Sequence, residues 1–166
     1  MSKSKSTAPK NFLRSYGPMI ILIVSVLNQL DLNYLNLNFS FNFAYIFIFY
    51  WSLKKPEHLP FGFIFICGIF NDVVTSFPIG LSSLNYLIIC VVATYIRNIT
   101  LRPIFINDWL LFLVTILLVN SINFLVLEIF MNIDINFNVY ITNLGFTFLF
   151  YPAFYGLFKS LIKFLY

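Results

Sequence analysis

Apolar runs and short polar segments alternate along the whole chain. The six runs cover about 16–34, 36–53, 61–76, 81–96, 109–131 and 137–158. Most of them approach the roughly 20 residues that an α-helix needs to cross the hydrocarbon core of a bilayer. The pattern predicts an all-α, polytopic integral membrane protein with six transmembrane helices over residues 16–166, preceded by a short basic tail over residues 1–15.

The third and fourth runs together form 36 residues, 61–96, with Asp72 as the single charge. One helix of that length would measure about 54 Å, which is far more than the bilayer thickness. Pro78 and Gly80 lie near the middle. Proline disfavours helix at the residue before it, and glycine accepts the backbone of a tight turn. This segment is therefore predicted to be a helical hairpin.

Composition supports the membrane assignment. The chain of 166 residues is 60% hydrophobic and 10% charged, with a mean hydropathy of +0.89, whereas soluble domains are about 45–50% apolar and about 25% charged. A soluble enzyme, a disordered tail and a disulfide-stapled secreted protein are excluded. Cys67 and Cys90 both lie inside apolar runs, so we interpret them as packing residues.

Basic residues are confined to alternate segments. All ten Lys and Arg residues precede the first run, lie between runs two and three, lie between runs four and five, or follow run six. The other three loops contain none. Because cytoplasmic loops carry the excess of Lys and Arg, both termini are predicted to be cytoplasmic. The net charge of +4 then reflects topology and contacts with anionic lipid, so no nucleic-acid partner is predicted.

Few groups could perform chemistry. His58 is the single histidine and lies in a predicted polar loop, and the sequence contains no cluster of metal ligands and no nucleophile or phosphate-binding motif. The sequence therefore predicts a protein that is not an enzyme, with no catalytic residue, cofactor or metal site.

Three residues inside the predicted spans are notable. Asp72 falls about 16 Å into the third span, close to mid-membrane. Glu128 lies near the outer end of the fifth span, and Pro152 removes a backbone donor in the sixth and should kink it. An ionisable side chain within a membrane span costs free energy, so Asp72 and Glu128 are candidate functional residues.

The charge state of Asp72 follows from its surroundings. The predicted spans contain no Lys or Arg, so the chain supplies no basic partner at that depth. We therefore expect a neutral acid that is hydrogen-bonded to polar side chains such as Asn85, Asn120 or Thr147. An ionised carboxylate held by a partner protein or a water-filled pocket is the alternative.

The segment 68–86 resembles the hallmark of the bacterial rod shape-determining protein MreD family. Gly68, Asp72 and Gly80 fall where that family has its glycine, acid and second glycine. Weaker similarities are Glu128 in the fifth span and Pro152, which follows an aromatic residue in the last span. The resemblance covers the whole chain in size, span number and topology.

This resemblance implies a non-enzymatic scaffold of the cell-elongation machinery in the bacterial inner membrane. Such a protein would bind MreC, a single-span protein. Through MreC it would link MreB filaments to peptidoglycan synthesis by RodA and a class B penicillin-binding protein. The resemblance also allows a homodimer within the complex.

The fold implied by the resemblance is that of the membrane subunits of energy-coupling-factor transporters. A small-solute-binding subunit of a transporter is therefore the alternative function. Those subunits dock through small residues such as A-x-x-x-A in the first span, and the run 17–30 contains no alanine. This absence favours the scaffold.

Overall fold

A computed structural model of the chain describes residues 8–27, 41–100, 104–130 and 137–165. Within these ranges all regular secondary structure is helical, which confirms the predicted all-α class. The six α-helices are α1 (Ala8–Leu27), α2 (Phe43–Lys54), α3 (Phe61–Thr75), α4 (Leu81–Ile99), α5 (Phe105–Leu125) and α6 (Phe137–Leu165). A short 3-10 turn, Pro56–His58, joins α2 to α3, and α5 continues as a π-helix over Val126–Phe130.

Three of the helices are long and apolar enough to cross a membrane. These segments are Leu81–Ile99, Phe105–Ile129 and Tyr140–Lys163. Within the described ranges, the other apolar helical segments are shorter. They are Arg14–Leu27, Phe43–Lys54 and Phe61–Thr75.

Several helix boundaries differ from the sequence prediction. α1 begins at Ala8, inside the predicted tail, and α5 begins at Phe105 instead of 109. α4 and α6 continue to Ile99 and Leu165, past the predicted ends at 96 and 158. Arg97 lies in the last turn of α4 and Lys163 in the last turn of α6. Basic residues there interact favourably with the helix dipole, so these charged residues do not end the helices. The predicted boundary between the first two spans falls in 28–40, outside the described residues.

α2 lies at the centre of the bundle and contacts α1, α4 and α6. Ten consecutive residues, from Ala44 to Leu53, are buried. A helix that is apolar on every side is stable only when other elements surround it. Its 12 residues give a length of about 18 Å, shorter than the hydrocarbon core. The helix starts at Phe43 instead of the predicted 36.

Aromatic rings fill the contact between α2 and α6. Phe158 packs edge-on against Phe47, with ring centroids 5.4 Å apart, and lies 5.3 Å from the ring of Tyr50. Such tilted and edge-to-face pairs are the arrangements that aromatic rings prefer. They hold α6 against the central helix.

Candidate functional site in the α3–α4 hairpin

The predicted hairpin exists, and Asp72 organises the end of its first helix. The Asp72 carbonyl accepts hydrogen bonds from the backbone N–H groups of Ser76 and Phe77. Ser76 has a left-handed backbone with φ of 57°. The Phe77 bond is the 6→1 bond found in Schellman motifs, and the Ser76 bond is the 5→1 bond of a left-handed helix cap. Both satisfy a carbonyl that would otherwise lack a partner at the helix end.

The Asp72 side chain organises the start of the second helix. One carboxylate oxygen accepts from the Gly80 backbone N–H at 2.7 Å and the other accepts from the Ser82 backbone N–H at 2.9 Å. The first N–H groups of a helix have no partner within the helix. Asp72 is fully buried. Its carboxylate caps α4 although Asp72 lies eight residues before Gly80.

The partners of Asp72 therefore differ from the expected set. Asn85, Asn120 and Thr147 are not its hydrogen-bond partners, because Asn85 bonds to Asn123 and the Thr147 hydroxyl accepts from the Asn42 backbone. A sequence pattern identifies side chains that share a face, but it does not reveal backbone donors at a distant helix start. Both carboxylate oxygens act as acceptors beside the positive end of a helix dipole, an arrangement that suits the ionised acid.

Gly80 is the residue that makes this turn possible. Its φ is 101°, in the region that side-chain-bearing residues rarely adopt. It stands at the N-cap of α4 without a side chain of its own to cap the helix. The Asp72 carboxylate supplies the acceptor that a capping serine or aspartate would provide.

Gly68 allows the two helices of the hairpin to approach closely. A Cβ atom at this position would lie 2.6 Å from the Ser83 backbone nitrogen and still closer to its Cα. The Ser83 hydroxyl donates to the Phe65 carbonyl at 3.0 Å, one turn before Gly68. Small residues at a helix contact allow such backbone approach. Gly68, Asp72 and Gly80 thus serve the same hairpin.

Sequence reasoning missed the serines that complete this hairpin. Asn71 donates from its side-chain nitrogen to the Ser82 hydroxyl at 2.9 Å, and Ser82 and Ser83 are both buried. The pair Ser82 and Ser83, which follows Gly80 and Leu81, was the available signal, since serine side chains often form hydrogen bonds across helix contacts. The hairpin is therefore joined by backbone, side-chain and packing contacts.

A second polar contact lies inside the bundle. The Asn85 side chain on α4 donates to the Asn123 side chain on α5 at 2.6 Å, and Asn123 donates to the Tyr45 hydroxyl on α2 at 3.4 Å. All three residues are buried. Buried amides and hydroxyls need such partners, so this group fixes the relative register of three helices.

An ion pair joins the C-terminal end of α2 to the N-terminal end of α5. The Lys54 ammonium stands 2.8 Å from the Asp108 carboxylate, and the Asp108 side chain is only 2% exposed. The ammonium also lies 5.8 Å from the centre of the Tyr155 ring on α6. Both charged residues were assigned to loops in the sequence prediction. Sequence alone did not reveal that these loops meet.

A hydrogen bond from α5 replaces the backbone donor that Pro152 removes from α6. Because proline has no N–H, the Phe148 carbonyl four residues earlier lacks its helical donor. The Trp109 indole N–H on α5 donates to this carbonyl at 3.1 Å. The indole ring also stacks on the Phe148 ring with centroids 4.8 Å apart. Pro152 thus creates a contact between the last two helices.

Glu128 lies apart from the hairpin. It is exposed in the π-helical extension of α5, and no ion pair involves it among the described residues. Ser121, seven residues earlier, is also exposed and donates to the Leu117 carbonyl at 2.8 Å. The structure therefore brings Gly68, Asp72 and Gly80 together and leaves Glu128 on the surface.

The structure also places Cys67, Cys90 and His58. Cys67 and Cys90 are buried free thiols, and the Cys90 sulfur lies 3.1 Å from the Ser52 hydroxyl. Over the described ranges, no group of three or more His, Cys, Asp or Glu side chains could hold a metal ion. Burial lowers the pKa of His58, with a smaller opposing effect from Glu57.

Comparison with protein-family models, with curated proteins and with solved structures finds no significant match.

Proposed function

We propose that this protein is a non-enzymatic scaffold of the bacterial cell-elongation machinery. In this proposal it lies in the inner membrane with six membrane-embedded helical segments and both termini in the cytoplasm. It binds a single-span, MreC-like protein and through it coordinates MreB filaments with RodA and a class B penicillin-binding protein.

The observation that carries the proposal is the common role of the three motif residues. Gly68 permits close packing, Gly80 permits the turn, and Asp72 caps both helix ends. Both Asp72 carboxylate oxygens are engaged by backbone N–H groups. A motif of this kind builds a rigid pair of helices, which suits a protein whose task is to hold partners in a fixed geometry.

The surface of the bundle also suits a scaffold. Large apolar side chains are exposed on every helix except the central α2, including Val73, Leu149 and Ile129. In a membrane such faces contact lipid or the helices of partner proteins. The polar loops in the described ranges are short, so partner contacts are expected mainly along helix faces.

Purification from the membrane tests the proposal directly. The tagged chain, extracted in mild detergent, should retain an MreC-like protein, and the complex should persist through a second purification step. A tagged six-span protein of unrelated function serves as the control. Recovery of ATPase subunits of a vitamin transporter in place of MreC would contradict the scaffold and favour the transporter subunit.

Cysteine labelling tests the topology that the proposal requires. Cysteines placed at Asn36 and Asn136 should react with an impermeant maleimide added to intact cells, whereas cysteines at Glu57 and Asn107 should not. The two native cysteines are buried, which keeps the background low. Labelling of Glu57 from outside would contradict the topology, because it would invert the loop between α2 and α3.

A further inference from the structure

One face of α5 is exposed along its whole length. Its members recur every three or four residues and are Leu110, Val114, Leu117, Ser121, Leu125 and Glu128. At about 100° per residue, the first five lie within an arc of roughly 80° on the helix surface. We call this set the α5 stripe. A seam with this spacing is the surface that a second helix packs against.

Ser121 gives the α5 stripe a point of close approach. Its hydroxyl is already bonded to the Leu117 carbonyl one turn earlier, so it needs no further acceptor. The side chain is small and stands between larger residues at 117 and 125. In membranes, helices approach each other closely at such small residues.

Glu128 gives the stripe a charge without a counter-charge. The other carboxylate on α5, Asp108, is paired with Lys54 at 2.8 Å. Glu128 follows Asp108 by 20 residues, or about 30 Å along the helix, which places the two at opposite edges of a hydrocarbon core. Among the described residues, Glu128 has no ion pair.

The chain itself has no cation to offer at the outer edge. All ten Lys and Arg residues belong to the segments assigned to the cytoplasmic side. A carboxylate at the opposite edge of an apolar stripe is therefore complementary to a basic residue that another protein supplies. The π-helix that contains Glu128 adds to this view, since π-helical segments often occur at functional sites.

We propose that the α5 stripe binds the single transmembrane helix of the partner protein, and that this helix carries a Lys or Arg at its outer end against Glu128. A small residue of the partner faces Ser121. This inference rests on the proposed function, because it specifies the surface through which the MreC-like partner binds. It predicts that α5, not the hairpin, contacts the partner.

The test uses the full-length protein co-expressed with the MreC-like protein. Glu128→Lys and Ser121→Trp should each lower the amount of co-purified partner by about tenfold, the effect expected at a central contact. Val91→Trp, on the exposed face of α4, is the matched control and should leave the amount unchanged. Val91 is exposed, as Ser121 is, so added bulk is tolerated equally by the isolated fold.

A charge exchange makes the test specific. Replacing the basic residue at the outer end of the partner helix with Glu should restore binding to Glu128→Lys. The thermal stability of each variant alone should equal that of the wild type, since neither side chain is buried. Restored binding would identify the pair, which a general loss of folding would not produce.

The outcomes separate this inference from the proposed function. Full partner recovery with both Glu128→Lys and Ser121→Trp overturns the α5 stripe while the scaffold stands. Loss with Val91→Trp alone also overturns it, because the contact then lies on α4. If the wild-type protein retains no MreC-like partner at all, the proposed function and this inference both fail.

Discussion

The Asp72 carboxylate on α3 lies 2.9 Å from the Ser82 backbone nitrogen on α4 and accepts its hydrogen bond. The same side chain accepts from Gly80, and its carbonyl closes α3. One residue therefore ends a helix and starts the next. The stability of the hairpin should depend on it more than on any exposed acid of the chain.

Replacement of Asp72 should show that both oxygens matter. Asp72→Asn retains one acceptor but turns an NH₂ group towards a backbone N–H, and it removes the charge at the start of α4. We expect a loss of about 1–3 kcal/mol in the free energy of unfolding. Asp72→Leu should cost more, because it leaves two N–H groups without an acceptor.

Thermal and denaturant unfolding in detergent would measure these differences. Glu128→Gln is the control, since it removes an exposed carboxylate and should leave the unfolding free energy unchanged. A variant Asp72→Asn as stable as the wild type would show that a neutral group suffices. This result would support the expectation that Asp72 is a neutral acid.

Gly68 should not tolerate a methyl group. In Gly68→Ala the new Cβ would meet the Ser83 backbone, which cannot move as a flexible side chain can. We expect a destabilisation of about 1–3 kcal/mol, typical of overpacking. Gly62→Ala on the same helix is the matched control. A Cβ there has nothing within 4 Å, so no loss is expected. Equal stability of both variants would contradict the close contact.

The Lys54–Asp108 ion pair should contribute far more to the free energy of unfolding than the neighbouring Lys55–Glu57 pair. Lys54→Met leaves the buried Asp108 carboxylate without its partner and should cost roughly 3 kcal/mol. Lys55→Met alters an exposed pair with Glu57 at 3.8 Å and should cost less than about 1 kcal/mol. The double variant Lys54→Met/Asp108→Asn should recover part of the loss, measured by unfolding in detergent. Similar losses for both lysines would argue against a buried pair.

The Trp109 bond should depend on Pro152. Trp109→Phe keeps a ring to stack on Phe148 but loses the indole N–H, and we expect a loss of about 1 kcal/mol. Pro152→Ala restores a backbone N–H that can reach the Phe148 carbonyl. In that background Trp109→Phe should cost less, and a double-mutant cycle gives the coupling. Independent effects of the two substitutions would mean that the proline does not create the need for Trp109.

Sequence reasoning succeeded where the information is local. Uninterrupted apolar runs predicted helices, and Pro78 with Gly80 predicted the hairpin turn. α3 and the start of α4 lie where expected. These predictions depend on the backbone preferences of a few consecutive residues, which act in the same way in any fold.

The pattern of apolar and polar residues did not predict contacts between segments that are distant in the sequence. Asp108 was assigned to a loop because it is charged, yet Lys54 neutralises it and allows α5 to begin four residues earlier, at Phe105. Likewise Asn42 stands just before α2, where its backbone N–H donates to Thr147 on α6. Such pairings depend on how the helices assemble, and no alternation of apolar and polar residues encodes them.

The shape of cells depleted of this protein tests the central claim most directly. In a rod-shaped host, the length-to-width ratio is measured by microscopy after the gene is switched off, with vitamin uptake followed in parallel. The scaffold account predicts rounded cells, normal uptake and recovery of rods when the wild-type gene is restored. Cells that remain rods while they lose vitamin uptake would contradict it.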